Sequence, residues 1–189
     1  MSEKIQKLEN KLTEIMSRWG GLDHGQETRE WLLKIDPQSP WQLQIAAFAH
    51  DIETAIPYIE GMTPKRFSRE DCENYDEYKG RHAKRSAQVI EHIMTTYNFP
   101  KEDIKKVCNA IEKREVGGDT DSDLVRDADS IRWFDKKGHP KYIENYGIDA
   151  AKEKALWMYE RATKKTRELI DSLPYDKRIK NYIAQKDAS

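Results

Sequence analysis

Apolar side chains recur along this chain at intervals of three and four residues, the spacing of a helix face. Ile5, Leu8, Leu12, Ile15, Met16 and Trp19 form the first run, and Gly20-Gly21 ends it. A second helix begins near Leu22, carries Trp31, Leu32 and Ile35 on one stripe, and stops before Pro37. In the third, Ser39 stands at the cap and Pro40 at the first position, and residues 41–56 are apolar around most of the circumference until Pro57 closes the run. Residues 57–80 are polar, turn-rich and aperiodic, which predicts a long loop: a lid, a binding segment or disorder. Periodicity resumes with Ser86, Val89, Ile90 and Ile93 before Pro100, then with Ile104, Val107, Cys108 and Ile111 before Gly117-Gly118. Residues 119–122 offer caps for a helix through Leu124, Ala128, Ile131 and Phe134. After a turn at Gly138-His139-Pro140, a long helix is predicted over about residues 149–172 and a short one after Pro174. No segment alternates with the period of a strand, so the predicted fold class is all-α.

Composition narrows the function classes. With Lys+Arg 33 against Asp+Glu 34 the formal net charge is -1, so neither a nucleic-acid polymer nor an anionic membrane is expected as the partner. Mean hydropathy is -0.95, yet hydrophobic residues make up 37% and include Trp 5, Tyr 9 and Phe 4, enough to build a core. The 189 residues predict one domain. Cys72 and Cys108 stand far apart in no CxxC arrangement, which fits a reducing compartment. No signal-peptide core is found, and apolar stretches fall far short of the ~20 residues of a spanning helix. A cytoplasmic protein is expected.

Helical phase forces several titratable groups onto apolar faces. His24 shares a stripe with Thr28, Trp31, Leu32 and Ile35, and His82 with Ser86, Val89, Ile90 and Ile93. His50 and Asp51 follow Ala46-Ala47-Phe48-Ala49 in the most apolar run, and Asp129 lies between Val125 and Trp133. A buried carboxylate costs several kcal/mol unless it finds a partner. Taken singly, each histidine is served by a carbonyl and each aspartate by a cap or an arginine. Taken together, the set is served by one divalent ion held by imidazole and carboxylate ligands from several helices. Neighbouring residues of a helix diverge by ~100°, so His50 and Asp51 reach one ion only off the helix flank. His24 and Asp129 are the candidates for the remaining ligands.

The ordered set His24, His50-Asp51, His82 and Asp129 resembles the HD-domain metal-dependent phosphohydrolases, all-helical proteins that carry an adjacent His-Asp pair. The likeness rests on residues 46–52 (AAFAHDI) for the signature, on His24 upstream, and on residues 127–131 (DADSI) for the last metal-binding segment. It implies an HD-type helical bundle over residues 1–189, with a motif core at 22–135 and C-terminal helices at 140–186 packing on it. It implies His24, His50, Asp51 and Asp129 as ligands of one divalent ion (Mn, Fe, Co, Ni, Zn or Mg), with Asp127 the reserve ligand or a structural acid. Where two-metal members carry a second later histidine, this chain has Arg114. Arginine does not ligate metals but binds phosphate oxygens bidentately. A single-metal site is therefore expected, with His82 and Arg114 facing substrate phosphate.

The reaction implied is hydrolysis of a phosphate ester, the substrate being a nucleotide or another small phosphorylated metabolite. Asp51 or Glu53 accepts a proton, His82 donates one, and Lys79, Arg81, Arg85 and Arg114 offset phosphate charge. Lys65-Arg66 in the long loop is a further phosphate candidate. A homo-oligomer is compatible with the apolar and aromatic residues of the C-terminal helix. Two competing readings stay open: a non-catalytic metal- or nucleotide-binding module, and a helical scaffold whose inward acids are ordinary ion pairs.

Overall fold

The computed structural model describes residues 2–62, 69–136 and 138–187. Helices and turns make up the described residues, with no strand among them, and the fold is all-α as the periodicity predicts. The chain divides into two compact units, Met1–Val125 and Arg126–Ser189.

In the first unit, α1 (Glu3–Trp19) buries Leu8, Leu12, Ile15 and Met16, and Gly20 ends it at φ 85, a left-handed conformation that suits glycine. Next comes α2 (Leu22–Ile35), burying Gly25, Thr28 and Leu32. A Cβ on Gly25 would lie 2.2 Å from the Phe48 carbonyl oxygen, so a side chain here would drive the backbones apart. That close approach brings α2 against α3 (Trp41–Ala49), whose residues from Ile45 to Ala49 are all buried.

Two expectations change at α3. Ser39 is not the cap: its hydroxyl donates to Asp36 at 2.8 Å, and Pro40 takes the N-terminal position without a side-chain hydrogen bond. Nor does the helix run on to Ile56. It ends at Ala49, Asp51 turns to φ -104 and ψ 17, and Ile52–Tyr58 continues as a tighter 3-10 helix. Pro57 cannot donate to residue 53, and its ring crowds that carbonyl. At the break, the Thr54 amide bonds to the Asp51 carbonyl at 3.3 Å, and the His50 carbonyl accepts 2.8 Å from Arg114 instead.

The predicted long loop is shorter than expected. Among the described residues of this segment, the 3-10 turn Arg69–Asp71 is followed by α4 (Tyr75–Thr96), which starts well before Ser86. Asn74 caps it by accepting from the Glu77 amide at 2.9 Å, and Asp76 and Glu77 suit its positive N-terminal end. The Lys65-Arg66 pair lies outside the described residues. α5 (Lys101–Glu112) buries Val107, Ala110 and Ile111. Its half-buried Cys108 lies 3.4 Å from the Ala87 carbonyl, and burial pushes the thiol up to about 12. α6 (Thr120–Phe134) is capped by Asp119, which accepts from the Ser122 amide at 3.0 Å. The division between the units falls within α6.

The second unit holds the rest of α6, then α7 (Gly138–Arg161), α8 (Lys164–Ser172) and α9 (Lys177–Asp187). The Gly138-His139-Pro140 segment opens a helix rather than forming a turn, with Pro140 in its first turn, where a missing N–H costs least. α7 breaks its helical dihedrals at Gly147, φ 82. The single helix predicted over residues 149–172 is interrupted before Thr163, which adopts an extended backbone and starts α8. The core of this unit includes Phe134, Ala151, Ala155, Met158, Ile170, Ile179 and Ile183. His139 is buried beside Trp133 and Tyr175, and burial lowers its pKa. No described helix is long and apolar enough to cross a membrane.

Candidate metal centre

The break after α3 decides where the signature pair points. Because Asp51 leaves the helical path, its carboxylate and the His50 ring turn toward the same side, where α2 presents His24. His24 Nε2 lies 3.0 Å from His50 Nε2, and Asp51 Oδ2 lies 3.2 Å from the first and 3.5 Å from the second. Donor atoms that share one ion at about 2.0–2.2 Å stand about 3.0–3.5 Å apart, so this triangle has the size of one face of a coordination shell. His50 Nδ1 lies 2.8 Å from the Ala47 carbonyl, a partner that keeps the proton on Nδ1 and frees the Nε2 lone pair for an ion. The donor set of two imidazoles and a carboxylate fits a divalent transition metal. His50 is 1% exposed, whereas the side chains of His24 and Asp51 are each 24% exposed.

The other oxygen of Asp51 belongs to a second set of groups. Oδ1 lies 2.9 Å from His82 Nε2 and accepts from Arg114 Nη2 at 2.6 Å. Arg114 has no exposed surface, donates its Nη1 to the His50 carbonyl, and pairs Nε with Glu115 at 3.2 Å. Lys79 reaches the same Glu115 oxygen at 3.3 Å. On the far side of His82, Nδ1 meets Glu53 Oε2 at 2.6 Å, and Glu53 Oε1 accepts from Arg85 Nε at 3.0 Å. Burial would raise the Asp51 carboxyl, but the charges of His50 and Arg114 and hydrogen bonds from His24 and His82 hold it well below the usual carboxylate range. Burial opposes a charged His82, yet hydrogen bonds to Asp51 and Glu53 raise its pKa. Tyr78, one turn before His82 on α4, stacks on it with rings inclined by 14° and centroids 6.4 Å apart.

In the second unit, Asp127 and Asp129 have separate tasks. Asp129 Oδ2 accepts from Arg161 Nη2 at 2.5 Å, while Arg161 Nε donates to Ser130 at 3.0 Å and the guanidinium lies over Trp157. Asp127 accepts from the Thr163 amide at 2.9 Å, from the Thr166 hydroxyl at 2.8 Å and from the Thr163 hydroxyl. It is a structural acid that anchors the start of α8.

Within the first unit the structure brings His24, His50, Asp51, Glu53, His82, Arg85 and Arg114 into one connected cluster, with Lys79 at its margin through Glu115. Arg114 departs from the sequence expectation: its guanidinium is engaged with Asp51 and the His50 carbonyl instead of facing an opening for phosphate. Arg81 is exposed and pairs with Glu77 on its own helix at 2.6 Å. Sequence reasoning missed Tyr78, although its four-residue spacing to His82 was a readable signal. The Arg161 side chain is 8% exposed, and nothing local in the sequence announces its partner Asp129.

A family model described as Domain of unknown function (DUF4202) matches residues 9–183. Comparison with curated proteins gives no match, and neither does comparison with solved structures.

Proposed function

We propose that this chain, which belongs to the Domain of unknown function (DUF4202) family, is a metal-dependent phosphohydrolase of the HD type acting on a nucleotide or another small phosphorylated metabolite. The observation that carries the reading is the meeting of His24 Nε2, His50 Nε2 and Asp51 Oδ2 at the spacing of a metal face, with a His82–Glu53 pair on the opposite oxygen of Asp51. His24, His50 and Asp51 hold one divalent ion, for which Mn, Fe, Co, Ni, Zn and Mg are the candidates. Asp129, the remaining ligand implied by the sequence resemblance, lies in the second unit, and titration of Asp129→Asn tests its contribution. A bound ion supplies Lewis acidity toward a phosphoryl oxygen and lowers the pKa of water toward ~7.

The chain's own groups do the rest. His82, flanked by two carboxylates that favour its charged form, donates a proton to the leaving oxygen of the ester. Glu53, held by Arg85, receives the proton that water gives up as it attacks phosphorus, and alcohol and inorganic phosphate leave. Lys79 and Arg85 bring positive charge to the margin of the cluster, where a phosphate dianion is stabilised.

The test is metal analysis of the purified protein followed by a phosphate-release screen over nucleotides and sugar phosphates with Mn²⁺, Co²⁺, Ni²⁺, Fe²⁺ and Mg²⁺. Stoichiometric metal with release of phosphate is expected. Tight nucleotide binding without turnover would turn the assignment to a binding module, and absence of any bound metal would leave a helical scaffold.

A further inference from the structure

The two oxygens of Asp51 are divided between different kinds of partner, and Arg114 makes the division. Oδ2 faces the imidazoles of His24 and His50, whereas Oδ1 is taken by Arg114 at 2.6 Å and His82 at 2.9 Å. The same guanidinium accounts for the His50 carbonyl at 2.8 Å, so one side chain pins both the backbone break and the carboxylate that follows it. Its third nitrogen meets Glu115, which Lys79 in turn holds. A guanidinium is planar, permanently charged and unable to ligate a metal. Placed on Oδ1 with no exposure to solvent, it fills with fixed positive charge the place where a further ion bridged by Asp51 would sit.

We propose that Arg114 is a positioning residue that commits Asp51 to one-oxygen ligation and limits this cluster to a single divalent ion. The inference rests on the metal reading given above and can fail separately from it.

The experiment is equilibrium dialysis of the full wild-type chain against Mn²⁺, with electron paramagnetic resonance of the bound ion. One Mn²⁺ per chain with an uncoupled spectrum is expected. Two spin-coupled Mn²⁺ per chain would overturn the one-ion limit and leave the metal reading standing, whereas no bound Mn²⁺ would overturn both. In Arg114→Met the carboxylate loses its anchor, and the Mn²⁺ Kd is expected to weaken about 10–100-fold, the usual effect of losing a group that orients a ligand. Arg114→Lys keeps the charge but cannot hold the carbonyl and the carboxylate together, so its Kd should fall between the two. A wild-type Kd and an unchanged Mn²⁺ spectrum in Arg114→Met, with helicity retained, would overturn the positioning role. Should that variant fail to fold, a wild-type Kd in Arg114→Lys would overturn it equally.

Discussion

Asp51 in the first unit and Asp127 in the second are both inward carboxylates with several hydrogen-bond partners, yet they are built for different ends. Asp127 is hydrogen-bonded by an amide and hydroxyls, groups that neither titrate near neutrality nor bind cations strongly, with Arg126 Nε at the longer distance of 3.9 Å. Those contacts satisfy the acid completely within a helix start. Asp51 is surrounded by His24, His50, His82 and Arg114, groups whose charge or lone pairs answer to protons and ions. Burial alone therefore does not mark a functional acid; the chemistry of its neighbours does.

The sharpest way to break this contrast is to neutralise each acid in turn. Asp51→Asn should abolish bound metal and phosphate release together while leaving the helical circular dichroism intact; turnover surviving in that variant would end the proposed role. Next in size is Gly25→Ala, which forces a methyl group into the 2.2 Å approach to the Phe48 carbonyl. It should cost about 1–3 kcal/mol in denaturant unfolding, as overpacking does, and weaken metal binding by moving His24. Asp127→Asn should lower stability by about 1.5–3 kcal/mol, the range for hydrogen bonds to a charged group, with metal content unchanged. Metal lost along with Asp127 would assign the ligand role to that acid and erase the contrast.

The smallest effect concerns pH. Burial lowers the His139 pKa below 6.5, against the opposing pull of Asp135 and Asp176. The folded state thus prefers the neutral ring, and this contribution to stability is fully present above the unfolded value of about 6.5. It is lost as pH falls through the lowered folded value. Asp176, brought to about 2 chiefly by its hydrogen bond to Arg178, acts in a separate, more acidic window below 3.8. Unfolding curves at successive pH values should show wild type losing stability below about pH 6.5 more steeply than His139→Gln. Parallel curves would remove His139 as the cause.

The helical faces were readable because apolar spacing is a local property: α1, α5 and the buried stripe of α4 follow it directly. The inward placement of His24, His50, Asp51 and His82 was readable for the same reason. What local pattern could not supply was the point where α3 breaks, at which Arg114, distant in sequence, takes the His50 carbonyl. The early start of α4 escaped notice because its first turns carry a cap and acids but no apolar stripe. Arg114 misled because a long cationic side chain reads as substrate-facing until its acid partner is known.

The half-buried Cys108 has a practical consequence. With its thiol pushed up to about 12, it stays protonated and unreactive at neutral pH. An electrophilic fluorophore should therefore mark Cys72 first, just ahead of α4, giving a single-point reporter on the segment that leads to His82 without any need to engineer the sequence.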